Sequence, residues 1–322
     1  MIDGLEGQTR VILKARLAPV IGSAFQPTGF PDLGPAEFER PLSADGVQSL
    51  QQALLVESVQ SLANHFEGVA WDSTEDRPVA TVARLPYVEV RNKAGRFLTS
   101  SRLEPHRLAG AYIKNATIDG KKAGGWMVGR LGVQKGVPLD WQTIYGSIFQ
   151  LDPLCLIHGV FFSDPDWSGY GNPKVRRALA AVIEAHDVRA VVSGGVKRDD
   201  VYPKAGEGRD AKGGYGFVPF GRTQYTAAEI DLDIVLDLEQ IRGYGLAEAE
   251  TRLLTAVALW EVRTLLDRPL RLRTACDLEV VQPVTVRRPR SWQLPEAQEL
   301  AREIESASVA FDSDGPYSTI FE

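Results

Sequence analysis

The sequence predicts an α+β fold in which the order strand, helix, strand occurs twice, with long insertions between the elements. In the first unit, residues 9–20 alternate between apolar and basic side chains as a half-buried strand does, and residues 50–68 show helical periodicity. In the second unit, residues 229–238 alternate again, and residues 246–266 are apolar nearly all round, which is typical of a buried helix. This order suits a ferredoxin-like (RRM-like) core, and we expect one elaborated domain over residues 1–322.

The composition excludes several classes of protein. The chain has 322 residues, of which 44% are apolar and 24% charged, so it is an ordinary globular protein that needs no disulfide bonds. Cys155 and Cys276 lie far apart and outside any CxxC or histidine-rich motif, so we expect no zinc site and a reducing, cytoplasmic location. The longest apolar run, near residues 154–162, is too short to span a bilayer, so no membrane partner is expected.

The charges are unevenly distributed along the chain. A net charge of −6 counts against a nucleic-acid binder, but distribution matters more than the sum. Residues 84–135 contain eleven Lys and Arg against three acids, whereas the acids concentrate in residues 229–261 and after residue 296. A basic middle and an acidic C-terminal third predict that identical copies stack head to tail, in a contact that need not close into a ring.

One helix is predicted over residues 50–68, with Asp45 and Gln48 as a capping box and Gly68 at its end. Its apolar stripe consists of Leu55, Val59, Leu62 and Phe66. The opposite face has no Lys or Arg, and its amides and hydroxyls suit contact with a nucleic-acid backbone or packing against a loop of the same chain. The polar residues on that face are Ser58, Gln60, Ser61, Asn64 and His65.

The other elements follow from periodicity and from turn residues. The proline-rich residues 19–46 are predicted as an extended loop, and Asn172 is predicted to cap a helix that begins at Pro173. Strands are also predicted at 79–91, 154–163, 188–196 and within 270–288, and short helices at 139–150 and 294–306. The helix that follows Asn172 has a predicted core stripe of Val175, Leu179, Val182 and Ile183.

Three segments carry cations at spacings that suit phosphate contact. Lys174, Arg176 and Arg177 oppose the dipole of the predicted helix, which either a bound anion or nearby acids would offset. A helical turn would present Arg102, His106 and Arg107 together, although the two arginines could instead pair with Glu89 or Glu104. Residues 197–226 have six glycines and no regular period, as in a functional or disordered loop, and interleave Lys197, Arg198, Lys204, Arg209, Lys212 and Arg222 with Tyr202, Tyr215, Phe217, Phe220 and Tyr225.

An enzyme is the main alternative to a binding protein. Asp231, Asp233 and Asp237 could hold Mg²⁺ in a metal-dependent nuclease, but they alternate with apolar residues as the solvated face of an edge strand does. No GxSxG elbow supports a serine triad, and the glycine- and lysine-rich residues 117–137 do not match GxxxxGK[ST], which also leaves a metabolic phosphate-loop enzyme unsupported. A binding protein is therefore favoured.

Four segments, in this order, resemble a known family: ESVQSLANHFEG, SSRLEPHRLAGAYI, GVFFSDPDWSGYGNPKVRRALAAVIEAHDV and SGGVKRDD. They are similar to the backbone subunit of the type I-G (formerly I-U) CRISPR effector complex, Cascade, a RAMP-class protein. The resemblance implies an RRM-like palm, fingers within residues 71–150 and a glycine-rich thumb at residues 197–226. It also implies a cytoplasmic, prokaryotic protein.

The resemblance further implies a function without catalysis or cofactor. Several copies would polymerise along CRISPR RNA, with the target DNA strand and other subunits of the complex as further partners. The alternative is a RAMP-class nuclease that uses Asp231 and Asp233. The implied RNA-binding residues are Ser58, Gln60, Ser61, Asn64, Arg102, His106, Arg107, Lys174, Arg177, Lys197 and Arg198, and those of the thumb are Tyr215, Phe217, Phe220, Arg222 and Tyr225.

Overall fold

The computed structural model describes residues 2–30, 32–44, 47–163, 167–198, 201, 212–309 and 316–321. Its strands are β1 Arg10–Pro19, β2 Gly29–Phe30, β3 Gly34–Pro35, β4 Glu37–Ala44, β5 Val47–Glu57, β6 Trp71–Asp72, β7 Arg77–Pro78, β8 Val88–Asn92, β9 Phe97–Ser100, β10 Thr117–Ile118, β11 Lys121–Lys122, β12 Val160–Phe161, β13 Lys174–Val175, β14 Leu179–His186, β15 Arg189–Arg198, β16 Phe217–Thr226, β17 Glu229–Asp237, β18 Leu270–Arg273, β19 Cys276–Val280, β20 Thr285–Arg288 and β21 Tyr317–Phe321. Its helices are α1 Val59–Gly68, α2 Ala111–Asn115, α3 Ala123–Arg130, α4 Trp141–Leu151, α5 Leu154–His158, α6 Leu238–Arg242, α7 Glu248–Leu266 and α8 Ala297–Ser308, with 3₁₀ turns at Ala80–Val82 and Arg107–Ala109.

The main sheet runs in the order β18-β19-β1-β17-β14-β5-β4, and β20 also pairs with β1. Its central pairs, β1 with β17 and β17 with β14, are antiparallel and in unbroken register. Helix α1 precedes β14 in the chain, and α7 lies between β17 and β19. The mixed α+β character predicted from the sequence is confirmed.

One face of this sheet is covered by helices and holds the core. Alternate residues of β1 and β17 point into that core, and α7 is buried along most of its length because it is apolar nearly all round. From α1, Leu62 and Phe66 pack into the same core, and both are fully buried. The opposite, open face carries the polar members of the same strands, among them Lys14, Arg16 and Asp231.

Residues 71–151 form a compact insertion between α1 and α5. Strands β8 to β11 belong to a second sheet in the order β11-β10-β21-β8-β9, which β21 completes by pairing in parallel with β8, whereas β6 and β7 pair with each other. Trp71 stacks on Phe97 with ring centroids 5.7 Å apart and helps to pack this region together.

A two-stranded ribbon extends from the main sheet. Strands β15 and β16 pair antiparallel from Arg189↔Thr226 to Arg198↔Phe217, and they continue β14 and β17 directly after two-residue breaks. The prediction that residues 197–226 lack strand structure is therefore wrong for residues 197–198 and 217–226. The predicted contributions of Tyr202, Lys204 and Arg209 lie outside the described residues.

The first predicted helix is too long at its N-terminal end. Residues 47–57 form β5, which pairs with β4 and β14, so the proline-rich segment is also not a loop throughout. Helix α1 begins only after Ser58, whose side chain accepts the Ser61 backbone N–H at 3.3 Å. The proposed cap at Asp45 lies outside the described residues, and Gln48 belongs to a strand.

Two further elements were predicted with the wrong secondary structure. Residues 154–158 form helix α5 rather than a strand, and Asn172 precedes strands β13 and β14 rather than a helix. Asn172 has a left-handed backbone conformation with φ of 46°, and β14 lies between β17 and β5, where sheet pairing overrides its helix-compatible sequence. Predictions of a strand near 9–20, 188–196 and 229–238, and of helices near 139–150, 246–266 and 294–306, are confirmed.

Candidate nucleic-acid interface

A groove of about 460 Å³ lies where the N-terminal ends of α1 and β14 meet two loops. Five of the residues predicted to contact RNA line it, although they come from three separate segments of the chain: Gln60, His106, Arg107, Lys174 and Arg177. Arg176, Phe161 and Ala180 complete the accessible wall.

Helix α1 contributes the polar, uncharged side of the groove. Val59 and Gln60 line it at the first turn, and Asn64 is exposed one turn further along the same helix face. Ser58 is instead occupied as the helix cap, which also ties the backbone of Ser61. The structure therefore brings Gln60 to the groove and leaves Asn64 beside it.

The basic side of the groove consists of Lys174, Arg176 and Arg177, in and next to β13. Within the described part of the chain none of the three forms an ion pair with an acid. Lys174 Nζ lies 5.2 Å from the ring centroid of the half-exposed Phe161, so a cation and an aromatic face share the rim.

Arg177 is the most enclosed of these cations. Its Nε atom is buried and has no hydrogen-bond partner among the described residues. Burial is the largest influence on Arg177 and lowers its pKa, and the nearby Arg107 lowers it further. A buried Nε–H without an acceptor is costly, so this position favours an anion that can accept from it.

The floor of the groove holds a closed ion pair. Arg107 donates from Nε to Glu67 Oε1 at 2.6 Å and from Nη2 to Glu67 Oε2 at 2.7 Å, and its Nη1 donates to the Gly159 carbonyl at 3.1 Å. Both side chains are buried. The prediction that Arg107 contacts RNA is inconsistent with this placement, because its donors are already used inside the protein. The interior alternative holds, with Glu67 in place of Glu89 or Glu104.

Arg102 requires the same correction. It is 4% exposed, lies 3.7 Å from Asp152 through Nε and donates from Nη2 to the carbonyl oxygens of Leu85 and Pro86. Its guanidinium also lies over the Tyr87 ring at 5.1 Å. Arg102 therefore makes its contacts within and beside the inserted region, and it does not line the groove.

His106 is exposed on the groove wall, whereas His158 lies fully buried beneath it. His158 Nε2 is 2.9 Å from Glu261 Oε2 on α7. Burial lowers the pKa of His158 to about 4 and raises the pKa of Glu261 well above its ordinary value. Burial therefore favours the neutral form of both side chains.

Comparisons with known proteins were made for the whole chain. The family model described as "CRISPR-associated protein GSU0053" matches residues 11–190, more than half of the sequence. The chain belongs to this family. A search of curated proteins found no match. A solved chain described as "CRISPR RNA-guided surveillance complex, pre-nicking" aligns with a TM-score of 0.40 and 13% identity over 84% of this chain and 74% of the solved one.

Membership of the GSU0053 family confirms the CRISPR association that the four segments indicated. The matched range extends from β1 through β14 and so contains every residue named above as lining the groove. The type I-G assignment remains a prediction.

The ribbon of this GSU0053-family chain has two different faces. By the strand register, Lys197, Phe220 and Arg222 lie on one face, with the Arg222 guanidinium 5.4 Å from the Phe220 ring. Val192, Val196 and Phe217 lie on the other, and all three are more than half exposed. Arg198 lies against Phe217 at 6.0 Å, and Tyr215 is exposed just before β16.

Tyr225 does not belong to the exposed part of the ribbon. It is 2% exposed, its hydroxyl donates to Glu37 on β4, and its backbone pairs with Phe25. Burial and the bond to Glu37 raise the pKa of Tyr225 to about 12. Tyr225 was predicted as a thumb residue, and in the structure it is buried and anchors the base of the ribbon, where it cannot stack on a base.

The acidic residues proposed for a nuclease serve other contacts. Strand β17 is central rather than an edge strand, so Asp231 is buried on the open face between Lys14 Nζ at 2.8 Å and Arg16 Nε at 2.7 Å. Asp233 lies 3.6 Å from Arg287 Nη1. Within the described ranges, Asp, Glu, His and Cys residues form no group of three that could hold a metal ion.

Several acids of the C-terminal third pair with arginines of the same third, as Glu303 does with Arg252 and Glu296 with Arg263. Among the helices that the structure describes, none combines the length and apolar character of a membrane span.

Sequence reasoning missed the place of Phe161 in this site, and it placed Lys174, Arg176 and Arg177 on a helix that does not form. The signal for Phe161 was present in the FF pair after Gly159, since the first aromatic is exposed and the second, Phe162, is buried. Consecutive residues of a strand point to opposite faces, so the two phenylalanines could not both have been buried on one face. The segment was instead interpreted as a strand buried on both faces.

Proposed function

We propose that this protein is the CRISPR RNA-binding backbone subunit of a type I-G Cascade complex. Copies of it polymerise along the guide RNA, with other subunits beside them, and support recognition of the target DNA strand. The observation that carries the proposal is the groove, in which three cations without acidic partners meet an amide, a histidine and an exposed aromatic ring. Such a set suits a sugar–phosphate backbone and contains no pattern that selects a base.

The fold supports a palm, fingers and thumb. Strands β19, β1, β17 and β14 with helices α1 and α7 have the order and connections of a β-α-β-β-α-β unit, which is the RRM-like palm. The insertion at residues 71–151 corresponds to fingers, and the β15–β16 ribbon to the thumb. The open face of the palm lacks aromatic residues on β1, β14 and β17, so the groove at its end is the better RNA site.

We assign no catalytic step to the protein. Asp231 is buried between two cations, and Asp233 points toward Arg287 across the sheet, so the two carboxylates do not converge on one accessible point. This arrangement favours a binding protein over the RAMP-class nuclease, and the role requires no cofactor.

The test removes two cations from the groove. With Lys174→Ala plus Arg177→Ala, RNA affinity should fall for every sequence, and the log–log salt slope should become shallower by roughly 1.4, or about 0.7 per phosphate contact. The melting temperature should hardly change, because neither side chain has an acidic partner among the residues that the structure describes. The control is Arg268→Ala plus Arg271→Ala, which removes the same charge from exposed positions elsewhere.

An unchanged salt slope in the groove variant would contradict the proposed site. Polymerisation is tested separately by electron micrographs of the wild-type protein with CRISPR RNA. Isolated single subunits at saturating RNA would contradict the backbone role, whatever the groove variant does.

A further inference from the structure

A second cationic surface lies at the edge strand β20, away from the groove. A cavity of about 520 Å³ is lined there by Arg287, Arg288 and Arg290 together with Ile12. All three arginines are exposed. Arg287 approaches Asp233 at 3.6 Å, whereas Arg288 and Arg290 form no ion pair among the described residues. We name Arg287, Arg288 and Arg290 the edge arginines.

A β-bulge aims two consecutive arginines at the same face. Ile12 pairs with Arg288 and Leu13 with Val286, so Arg287 is the extra residue in the ladder. Without the bulge, neighbouring side chains would point to opposite faces of the sheet. Because of it, Arg287 reaches Asp233 on the open face while Arg288 stays opposite Ile12 on that face.

The register places the edge arginines in line with the groove. Ala180 on β14 pairs with Val235 on β17, Val235 pairs with Ile12 on β1, and Ile12 pairs with Arg288 on β20. Ala180 lines the groove, and Ile12 lines the edge cavity. The row crosses three strand spacings, or about 14 Å.

This row has no charge between its two cationic ends. Ala180, Val235 and Ile12 are all half-buried. The acids on the neighbouring positions of β17 are both paired, Asp233 with Arg287 and Asp237 with Arg10 at 3.3 Å. An anionic chain laid along the row would therefore meet cations at both ends and no unpaired carboxylate from β17 on the way.

We propose that the edge arginines are a second phosphate-binding site and that one RNA strand crosses the end of the sheet from the groove to them. The inference rests on the proposed function, since it extends the path of the same strand. Arginine suits this role because its planar fork binds phosphate oxygens in pairs. An acidic surface on a second copy is the less favoured partner, because several acids of the C-terminal third pair with arginines of the same chain.

The experiment measures binding of a mixed-sequence single-stranded RNA of roughly 16 nucleotides as a function of salt. Arg288→Ala plus Arg290→Ala should make the salt slope shallower by roughly 1.4, corresponding to two phosphate contacts. Arg268→Ala plus Arg271→Ala is the matched control and should leave the slope unchanged. Arg287 is kept in all variants because its contact with Asp233 is part of the folded protein.

A second pair of variants tests the path between the two sites. Val235→Glu places a negative charge at the centre of the row, and Val235→Gln is the neutral control of the same size. The glutamate variant should bind RNA more weakly than the glutamine variant, and the difference should shrink at high salt. Equal affinities at low salt would show that RNA does not cross the row.

The outcomes separate this inference from the proposed function. If the edge variant behaves like its control while the groove variant loses salt dependence, the second site is wrong and the groove stands. If the edge variant binds RNA normally but loses self-association in sedimentation, the edge arginines contact a protein surface, and the inference is overturned. If the groove variant has no effect while the edge variant does, the proposed groove fails, and the continuous path fails with it.

Discussion

Arg107 and Arg177 are neighbours with opposite circumstances. Arg107 lies under the groove, is 5% exposed and forms a bidentate pair with Glu67. Arg177 lies at the groove wall with a buried Nε atom that has no partner among the described residues. Both are arginines in basic segments of the sequence, yet one holds α1 in place and the other is available to an anion. Burial together with a carboxylate partner distinguishes the structural cation from the functional one.

The largest effect should come from breaking the interior pair. Glu67→Ala leaves Arg107 buried without a countercharge and should lower the free energy of unfolding by about 3–5 kcal/mol. Denaturant unfolding measures the change, and Arg107→Met in the same chain should restore much of the loss because it removes the orphaned charge. If Glu67→Ala leaves the free energy of unfolding unchanged, Arg107 does not depend on its carboxylate partner, and the contrast with Arg177 fails.

A smaller effect is expected at the ribbon, where the same contrast applies to two aromatic residues. Phe220→Ala should weaken RNA binding by about 1–3 kcal/mol if the exposed ring stacks on a base, with little change in stability. Tyr225→Phe should do the reverse, since it removes the bond to Glu37 and lowers stability by about 1 kcal/mol. Calorimetry and RNA titration on both variants measure the two quantities. Equal effects of the two variants on RNA binding would contradict the assignment of Phe220 to RNA contact and of Tyr225 to the stability of the ribbon base.

The smallest effect is on the pH dependence of stability, which tests whether the region beneath the groove excludes water. Burial raises the pKa of the Glu261 carboxyl well above its ordinary value, so the native state keeps this proton to a higher pH than the unfolded chain does. The native state then binds more protons, so stability should fall as the pH rises from the ordinary carboxyl pKa toward the raised one, by up to about 1.4 kcal/mol per pH unit. Below about pH 6.5 the unfolded His158 also binds a proton that the native side chain, with its pKa lowered to about 4, does not bind, and this opposes the fall.

Glu261→Gln sharpens the pH test. It removes the carboxyl group whose pKa is raised, so the fall in stability with rising pH should disappear. His158, whose folded pKa is depressed to about 4, then acts alone, and stability should fall as the pH drops from about 6.5 toward 4. Chemical denaturation at a series of pH values measures both arms. If the stability of this variant still falls with rising pH as in the wild type, the proton belongs to another group.

Elements with a clean local period could be predicted from the sequence, and those decided by distant partners could not. The alternation in 9–20 and the apolar surface of 246–266 predicted β1 and α7 correctly. The stretch LAAVIEAH fits a helical stripe as well as a strand, and its pairing with β17 and β5 decides the outcome. A helix was predicted over most of strand β5 for the same reason, since the segment that contains its partner β4 was interpreted as a loop.

The candidate site shows the same limit. Gln60, His106, Lys174 and Arg177 were selected as separate polar or basic positions, and the fold brings them to one groove. Arg102 and Arg107 were selected on the same chemical grounds, but their partners lie far along the chain, with Glu67 40 residues from Arg107. Sequence spacing identifies the type of side chain, whereas burial depends on contacts that no local pattern contains.

The pairing of β1 has a consequence for synthesis of the chain. Arg10 meets Asp237 across 227 residues, and every strand that pairs with β1 comes later in the sequence. At about 5–20 residues per second, a ribosome leaves this apolar strand without its partner for roughly 10–45 s. During that interval Lys14 and Arg16 are the charges that oppose pairing with another nascent chain. The residues that later neutralise Asp231 thus also protect the strand before Asp231 has been made.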